Sequence, residues 1–385
     1  MPKYTTIDPA HTMLSSLPED ALYHILKFVD ENDDARCARI SKSWANLRRA
    51  WVVSRSSFPG GEGVRRNGQN VVQAVAFSCD GKFLAIGAED DALNVLTVHD
   101  AATGDLRRTF PRFGGTLCLD FSPTDSTVLV AGGRKDLVAY NTATGNMREL
   151  WRGSQEMKCV TFSPAGSTIA YCRTLIVAVI DIGGTDPTRD PFAVPARVLL
   201  TTHPGGPRRI EGIAFSPTGS VLAVGVGTKI KCYDVASGQV RSEIAHGVYG
   251  IWSVAYSSRG IIAAGGPDGK LVFYDASNGQ LIREISPTGN GSCFSPDGSM
   301  VAVRSMPTGY DRRGAARMLF YDAETGDLRF VISRNHGIYP WIGAGAGRFS
   351  PDGKTVAVGD SDGRVALYDA TTGDQRRMRR PPPAA

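Results

Sequence analysis

The residues of this 385-residue chain best able to do chemistry are six histidines, seven cysteines and aspartates set beside glycines. Their spacing argues against such use. His11, His24, His99, His203, His246 and His336 are scattered, whereas a metal site needs ligands gathered at short, defined intervals. Cys37, Cys79, Cys118, Cys159, Cys172, Cys232 and Cys293 never form C-x-x-C; most sit in apolar runs, as core fillers in a reducing compartment do. Asp360 to Asp362 invites a calcium reading, but Asp beside Gly recurs along the chain as turn punctuation, which needs no ligand. There is no G-x-S-x-G elbow, G-x-x-x-x-G-K-[ST] loop or H-E-x-x-H helix. No catalytic residue, metal or cofactor is therefore expected. What remains is recognition chemistry: arginines, which grip carboxylate or phosphate with two bonds at once, and aromatics, which anchor protein contacts.

Such residues need a frame, and the chain repeats itself to build one. FSPDGSMVAV from Phe294 returns as FSPDGKTVAV from Phe349, and looser versions begin at Phe77, Phe121, Phe162, Phe215 and Tyr256. The copies stand about 40 residues apart, with two longer intervals. A second mark follows: HDAATG at His99, YNTATG at Tyr140, YDVASG at Tyr233, YDASNG at Tyr274, YDAETG at Tyr321 and YDATTG at Tyr368. In the third copy it is degenerate, at Ile180 and Asp181. Alternating apolar residues before each aromatic, such as Ile213 and Phe215, predict a half-buried strand. Ser-Pro-Asp-Gly then turns the chain: Pro presets φ, Asp bonds locally and Gly accepts positive φ. Two further strands, an Asp-x-x-x-Gly turn and a short outer strand such as Leu281 to Ile285 complete four antiparallel strands. One such unit cannot bury both faces, but seven arranged around a channel can.

These repeats resemble the WD-repeat β-propellers over roughly Asn70 to Arg380. The expected fold class is mainly β, a seven-bladed propeller over 51–380 with a flexible tail at 381–385. Tyr-Asp stands where that family has Trp-Asp, and its Gly-His mark is largely missing. His246, Asp268 and Tyr274 retain part of the family's buried hydrogen-bond chain. The resemblance implies that an N-terminal segment completes the last blade, and Trp51 to Phe58 (WVVSRSSF) is the expected closer. Gln375 to Arg380 is the competitor, disfavoured because QRRMRR lacks apolar alternation. In this architecture the loops before the first strand and between the second and third share one face, the usual partner surface. Arg134, Lys158, Arg173, Arg209, Arg312 and Arg313 fall there, with Trp252 and Trp341, as substrate-binding candidates. Glu89, Asp90, Asp136 and Glu211 share the rim, so ordinary solvated loop charge is the competing reading.

Ahead of the repeats, 14–50 changes texture. Pro18 suits a first helical turn, and Leu22, Ile25, Leu26 and Val29 fall on one helical face. Asn32 or Asp33, then Ser41 or Ser43, can cap two more short helices. Three helices in about forty residues make a core too small to be independent, leaving apolar surface for a partner. LPEDALYHILKFVDENDDARCARISKSWANL, Leu17 to Leu47, resembles the F-box, preceded by a flexible 1–13. The family usually has Leu where this chain has Asp34. The resemblance implies a substrate-recognition subunit of an SCF-type ubiquitin ligase. The F-box would bind a Skp-type adaptor, and through it the cullin, by way of Leu17, Pro18, Ile25, Leu26, Val29 and Trp44. The propeller would hold the target protein, with phosphate among the groups its arginines could read. The alternative is a non-catalytic scaffold whose helices merely cap the propeller.

A net charge of +5 is small for this length and comes with many more Arg than Lys, so nucleic acid is not an expected partner. No apolar run approaches the roughly 18 residues of a membrane span, and no leader pattern opens the chain. A cytosolic, nuclear or shared location is expected.

Overall fold

The computed structural model describes residues 71–89, 94–112, 118–182, 196–201, 210–247, 250–286, 289–305, 317–333, 347–359 and 365–376. The chain divides into two units, Met1–Ser57 and Phe58–Ala385, and every described residue belongs to the second. The expected F-box helices, with Leu17, Pro18, Ile25, Leu26, Val29 and Trp44, lie outside the described residues.

The repeats fold into seven antiparallel sheets, six of four strands and one of three. Blade 1 runs through Val71–Phe77, Phe83–Glu89, Asn94–Asp100 and Leu106–Arg112. The first strands of blades 2 to 7 are Cys118–Phe121, Met157–Phe162, Ile210–Phe215, Ser253–Tyr256, Gly289–Phe294 and Gly347–Phe349. Each first strand touches the next, and the seventh touches the first, which closes the ring. Seven apolar clusters lie between neighbouring blades, one per seam. The closing seam sets Val72, Val75, Leu84 and Ile86 of blade 1 against Ala357, Val365 and Leu367 of blade 7. Each large apolar side chain buried this way stabilises the ring by about 1.5–3 kcal/mol.

One end of every blade carries the two turns. In Ser-Pro-Asp-Gly the serine holds the turn. Ser295 donates to Asp297 Oδ1 at 2.6 Å and accepts from Met300 N at 2.9 Å, and Ser350 does the same with Asp352 and Thr355. The equivalent serine is buried in all seven copies, from Ser78 to Ser350. In the second turn an Asp side chain caps backbone N–H groups, as Asp322 Oδ1 does for Glu324 and Thr325, each at 2.8 Å. An arginine on the outer strand returns to that Asp: Arg107 to Asp100, Arg329 to Asp322 and Arg376 to Asp369.

Trp51 to Phe58 lies outside the described residues, while the chain's own C-terminal segment occupies the start of the outer strand of blade 7. Gln375 pairs with Tyr368, and Arg376 N donates to Leu367 O at 2.8 Å. The spacing is that of Tyr274 with Leu281, Tyr321 with Leu328 and His99 with Leu106. Blade 7 thus begins its outer strand as the other blades do. One of the two longer intervals between repeats spans 183–195, which lies outside the described residues. The chain on either side of it is the third strand of blade 3, Ile176–Asp181, and its outer strand, Arg197–Thr201.

Candidate functional site

The strand order puts the loops between second and third strands, and those between blades, at the end opposite the turns. Three of the basic candidates meet there, at the seam of blades 2 and 3. Arg134 follows the second strand of blade 2, Lys158 is the second residue of the first strand of blade 3, and Arg173 closes its second strand. Antiparallel pairing brings the ends of these strands to one level. Arg134 Nη1 lies 3.1 Å from Glu156 Oε1, and Lys158 Nζ lies 2.9 Å from Glu156 Oε2. One carboxylate therefore answers two of the cations.

Arg173 is placed differently. Its guanidinium carbon sits 4.3 Å above the ring of Trp151 and 5.9 Å from the ring of Tyr171, a cation–π arrangement that also screens it from water. Trp151 ends the outer strand of blade 2 and folds back over Gly153, where any Cβ would strike the indole. Arg173 Nε and Gln155 Oε1 are buried with no hydrogen-bond partner. A preoriented guanidinium on an aromatic shelf can form a bidentate bond with a carboxylate or phosphate. Sequence reasoning found Arg134, Lys158 and Arg173 but missed Glu156, Trp151 and Gln155. The signal for Trp151 was an aromatic at the loop end of an outer strand.

Trp252 is exposed on the same rim, in blade 5, where its backbone N–H donates to Gly265 O at 2.8 Å. It shares the lining of the central cavity with Lys158 and does not join the cluster at Arg173. Arg209, Arg312, Arg313 and Trp341 lie outside the described residues. The expected hydrogen-bond chain of blade 5 is present in part: His246 Nδ1 lies 3.1 Å from Tyr274 OH. Burial holds the His246 imidazole below its usual pKa, with Asp268 acting the other way, and burial pushes Tyr274 up to about 12. Among the described residues no His, Cys, Asp and Glu group is arranged to hold a metal. No helix among them is long and apolar enough to cross a membrane.

With that geometry in hand, two family models match the chain. One is the F-box domain, over residues 14–47; the other, described as outer membrane protein assembly factor BamB, covers residues 226–382. An F-box ahead of a seven-bladed ring is consistent with an F-box/WD-repeat-like protein. That organisation is typical of non-catalytic adaptors and receptors, and no catalytic domain is indicated. Among solved structures, the β-propeller domain of Myceliophteria thermophila Cps50 (Swd1) superposes with a TM-score of 0.61 at 15% identity, covering 78% of this chain and 98% of that one. A likeness at that identity speaks to the fold alone. No curated protein matches the chain by sequence.

Proposed function

We propose that this chain is the substrate-recognition subunit of an SCF-type ubiquitin ligase. The observation that carries the reading is the F-box match at 14–47 ahead of a closed propeller whose loop rim presents Arg173 on Trp151. In this reading Leu17, Pro18, Ile25, Leu26, Val29 and Trp44 face a Skp-type adaptor joined to a cullin, and the loop rim holds the target protein. The chain does no bond chemistry. It raises the effective concentration of the target beside a charged conjugating enzyme, a proximity effect.

On the rim, Arg173 is the preferred reader of an acidic or phosphorylated target group, because Glu156 already answers Arg134 and Lys158. Trp252 and the residues outside the described set, Arg209, Arg312, Arg313 and Trp341, extend the candidate surface. The deciding experiment is co-purification of the full chain with a Skp-type adaptor and cullin. Stable association that is lost on joint substitution of Leu17 and Pro18 by Ala supports the receptor. Absence of association points to the plain scaffold instead.

A further inference from the structure

Two cysteines separated in sequence meet inside blade 3. Cys159 and Cys172 stand 13 residues apart along the chain, yet Cys172 Sγ lies 3.5 Å from Cys159 Sγ. They are directly opposed partners on the first and second strands of the blade, so both side chains leave the sheet on one face, toward the seam with blade 4. Opposed residues of antiparallel strands hold their Cα atoms about 4.5–5.5 Å apart, inside the roughly 4.4–6.8 Å span of disulfides. Only the sulfurs need to close up, to about 2.0 Å. The fold does not ask for thiols on both strands here. The same opposed pair is Ala74 with Gly87 in blade 1, Cys118 with Gly132 in blade 2 and Ser253 with Gly265 in blade 5.

The two thiols are not equivalent. Cys172 is fully buried, whereas Cys159 is half-buried and lies on the lining of the central cavity. The Cys172 thiol donates to the Cys159 sulfur; that bond, and then burial, hold the Cys172 thiol well above its usual pKa. Cys172 therefore keeps its proton and offers it to Cys159, the arrangement of a resolving thiol beside an attacking sulfur. Cys118 adds its charge to the surroundings of Cys172, but its own thiol faces Gly132 O at 3.8 Å.

From this pairing we propose that Cys159 and Cys172 form a reversible disulfide driven by hydrogen peroxide, a redox modification site next in sequence to the rim cations Lys158 and Arg173. The Cys159 thiolate attacks one peroxide oxygen, the O–O bond breaks and hydroxide leaves with the electron pair, giving a sulfenic acid. The Cys172 sulfur then attacks the sulfenic sulfur, its proton joins the departing hydroxide, and the S–S bond forms as water leaves. Two electrons pass from the sulfurs to the peroxide, and a dithiol reductant returns them by exchange. In a reducing compartment such a disulfide is transient and redox-sensing, not structural. The site does not depend on the ligase reading.

Trypsin releases both cysteines in one peptide, residues 159–173, because Lys158 and Arg173 bracket a stretch free of Lys and Arg. The test exposes the reduced full chain to hydrogen peroxide, quenches it in acid, alkylates it after denaturation and weighs the tryptic peptides by mass spectrometry. The expected product is that peptide, unalkylated and lighter by two hydrogens, formed about tenfold or more faster than half-buried Cys79 is oxidised. Dithiothreitol should return it to the alkylated form, and Cys118→Ser should leave its rate unchanged. Cys172→Ser should leave a sulfenic acid on Cys159 that dimedone traps; a missing adduct contradicts the role of Cys159 as the attacking sulfur. The peptide fully alkylated, or carrying sulfinic acid on Cys159, at peroxide levels that oxidise Cys79 overturns the proposal. A disulfide from either cysteine to Cys118 overturns it equally.

Discussion

The two ends of the propeller solve different problems. At the turn end the blades repeat one set of bonds: a buried serine clips each first turn, an aspartate, or Asn141 in blade 2, caps the second turn wherever it is described, and in blades 1, 6 and 7 an arginine returns to that aspartate. At the loop end the partners change from blade to blade. Arg134 and Lys158 share Glu156, Lys229 and Lys231 share Glu243, and His246 meets Tyr274. The lesson is a division of labour. Local geometry at one end fixes the blade, which leaves the other end able to vary its side chains at little cost to the ring.

The sharpest way to break that contrast is at the turns. Gly373 has φ +78° and lies under Phe330 of blade 6, so a Cβ would stand 2.6 Å from the ring. Gly373→Ala is expected to destabilise the propeller by ~2–4 kcal/mol, the sum of left-handed backbone strain and overpacking. Gly260 has φ +79° with nothing near the Cβ direction, and Gly260→Ala should cost only ~1 kcal/mol. Urea unfolding of the two variants checks the difference; equal losses would remove Phe330 from the account.

A smaller effect is expected from the aspartate caps. Arg329 and the N–H groups of Thr325 and Glu324 hold the Asp322 carboxyl at about 2. A depressed carboxylate stabilises the fold fully above its unfolded value near 3.9 and loses that contribution as pH falls through about 2. Asp322→Asn should cost about 1 kcal/mol at neutral pH and flatten the fall in unfolding midpoint between pH 4 and 2. An unchanged acid limb would show that the cap is idle.

His99 offers a third test within blade 1. It stands where five other blades have Tyr and is 1% exposed, its Nδ1 3.1 Å from Gly104 O and its Nε2 3.0 Å from Thr97 Oγ1. Burial depresses its pKa. The unfolded chain therefore takes up a proton below about 6.5 that the folded chain resists, and stability falls as pH drops from there through the folded value. His99→Tyr should remove that part of the slope, leaving the His246 part, with a neutral-pH change under ~1 kcal/mol. Melting curves from pH 7.5 to 5 decide it.

At the loop end the smallest effect is expected. Glu156→Gln removes the carboxylate charge beside Arg134 and Lys158, both partly solvated, and should change stability by no more than ~0.5 kcal/mol. A loss above 1 kcal/mol by the same unfolding assay would show that the loop rim holds the fold after all.

Much of this division was legible in the sequence because turn chemistry is local. Pro, Asp and Gly announced each turn, and the recurring aromatics announced each inner strand. The serine clip was not read, since its bond to a backbone N–H five residues on becomes visible only once the turn is closed. The C-terminal competitor for closure was undervalued for a physical reason. Apolar alternation was demanded of an outer strand, yet MRELWR and VRSEIA form outer strands with mostly exposed or half-exposed side chains. QRRMRR needed no more than that to begin one at Gln375. Of the candidate site, counting loops through the repeats placed Arg134, Lys158 and Arg173 on the rim. It did not pick out Gln155, nor Glu156 and Trp151, whose partners come from neighbouring strands and a neighbouring blade.

The measurement that bears most directly on the central claim is the affinity of the purified full chain for a Skp-type adaptor. A stable complex is expected, weakened about a hundredfold, ~2–3 kcal/mol, by Leu17→Ala with Pro18→Ala, the range of interface anchors. Arg173→Ala should leave that affinity unchanged. No complex, or a complex indifferent to the loss of Leu17 and Pro18, would contradict the receptor reading.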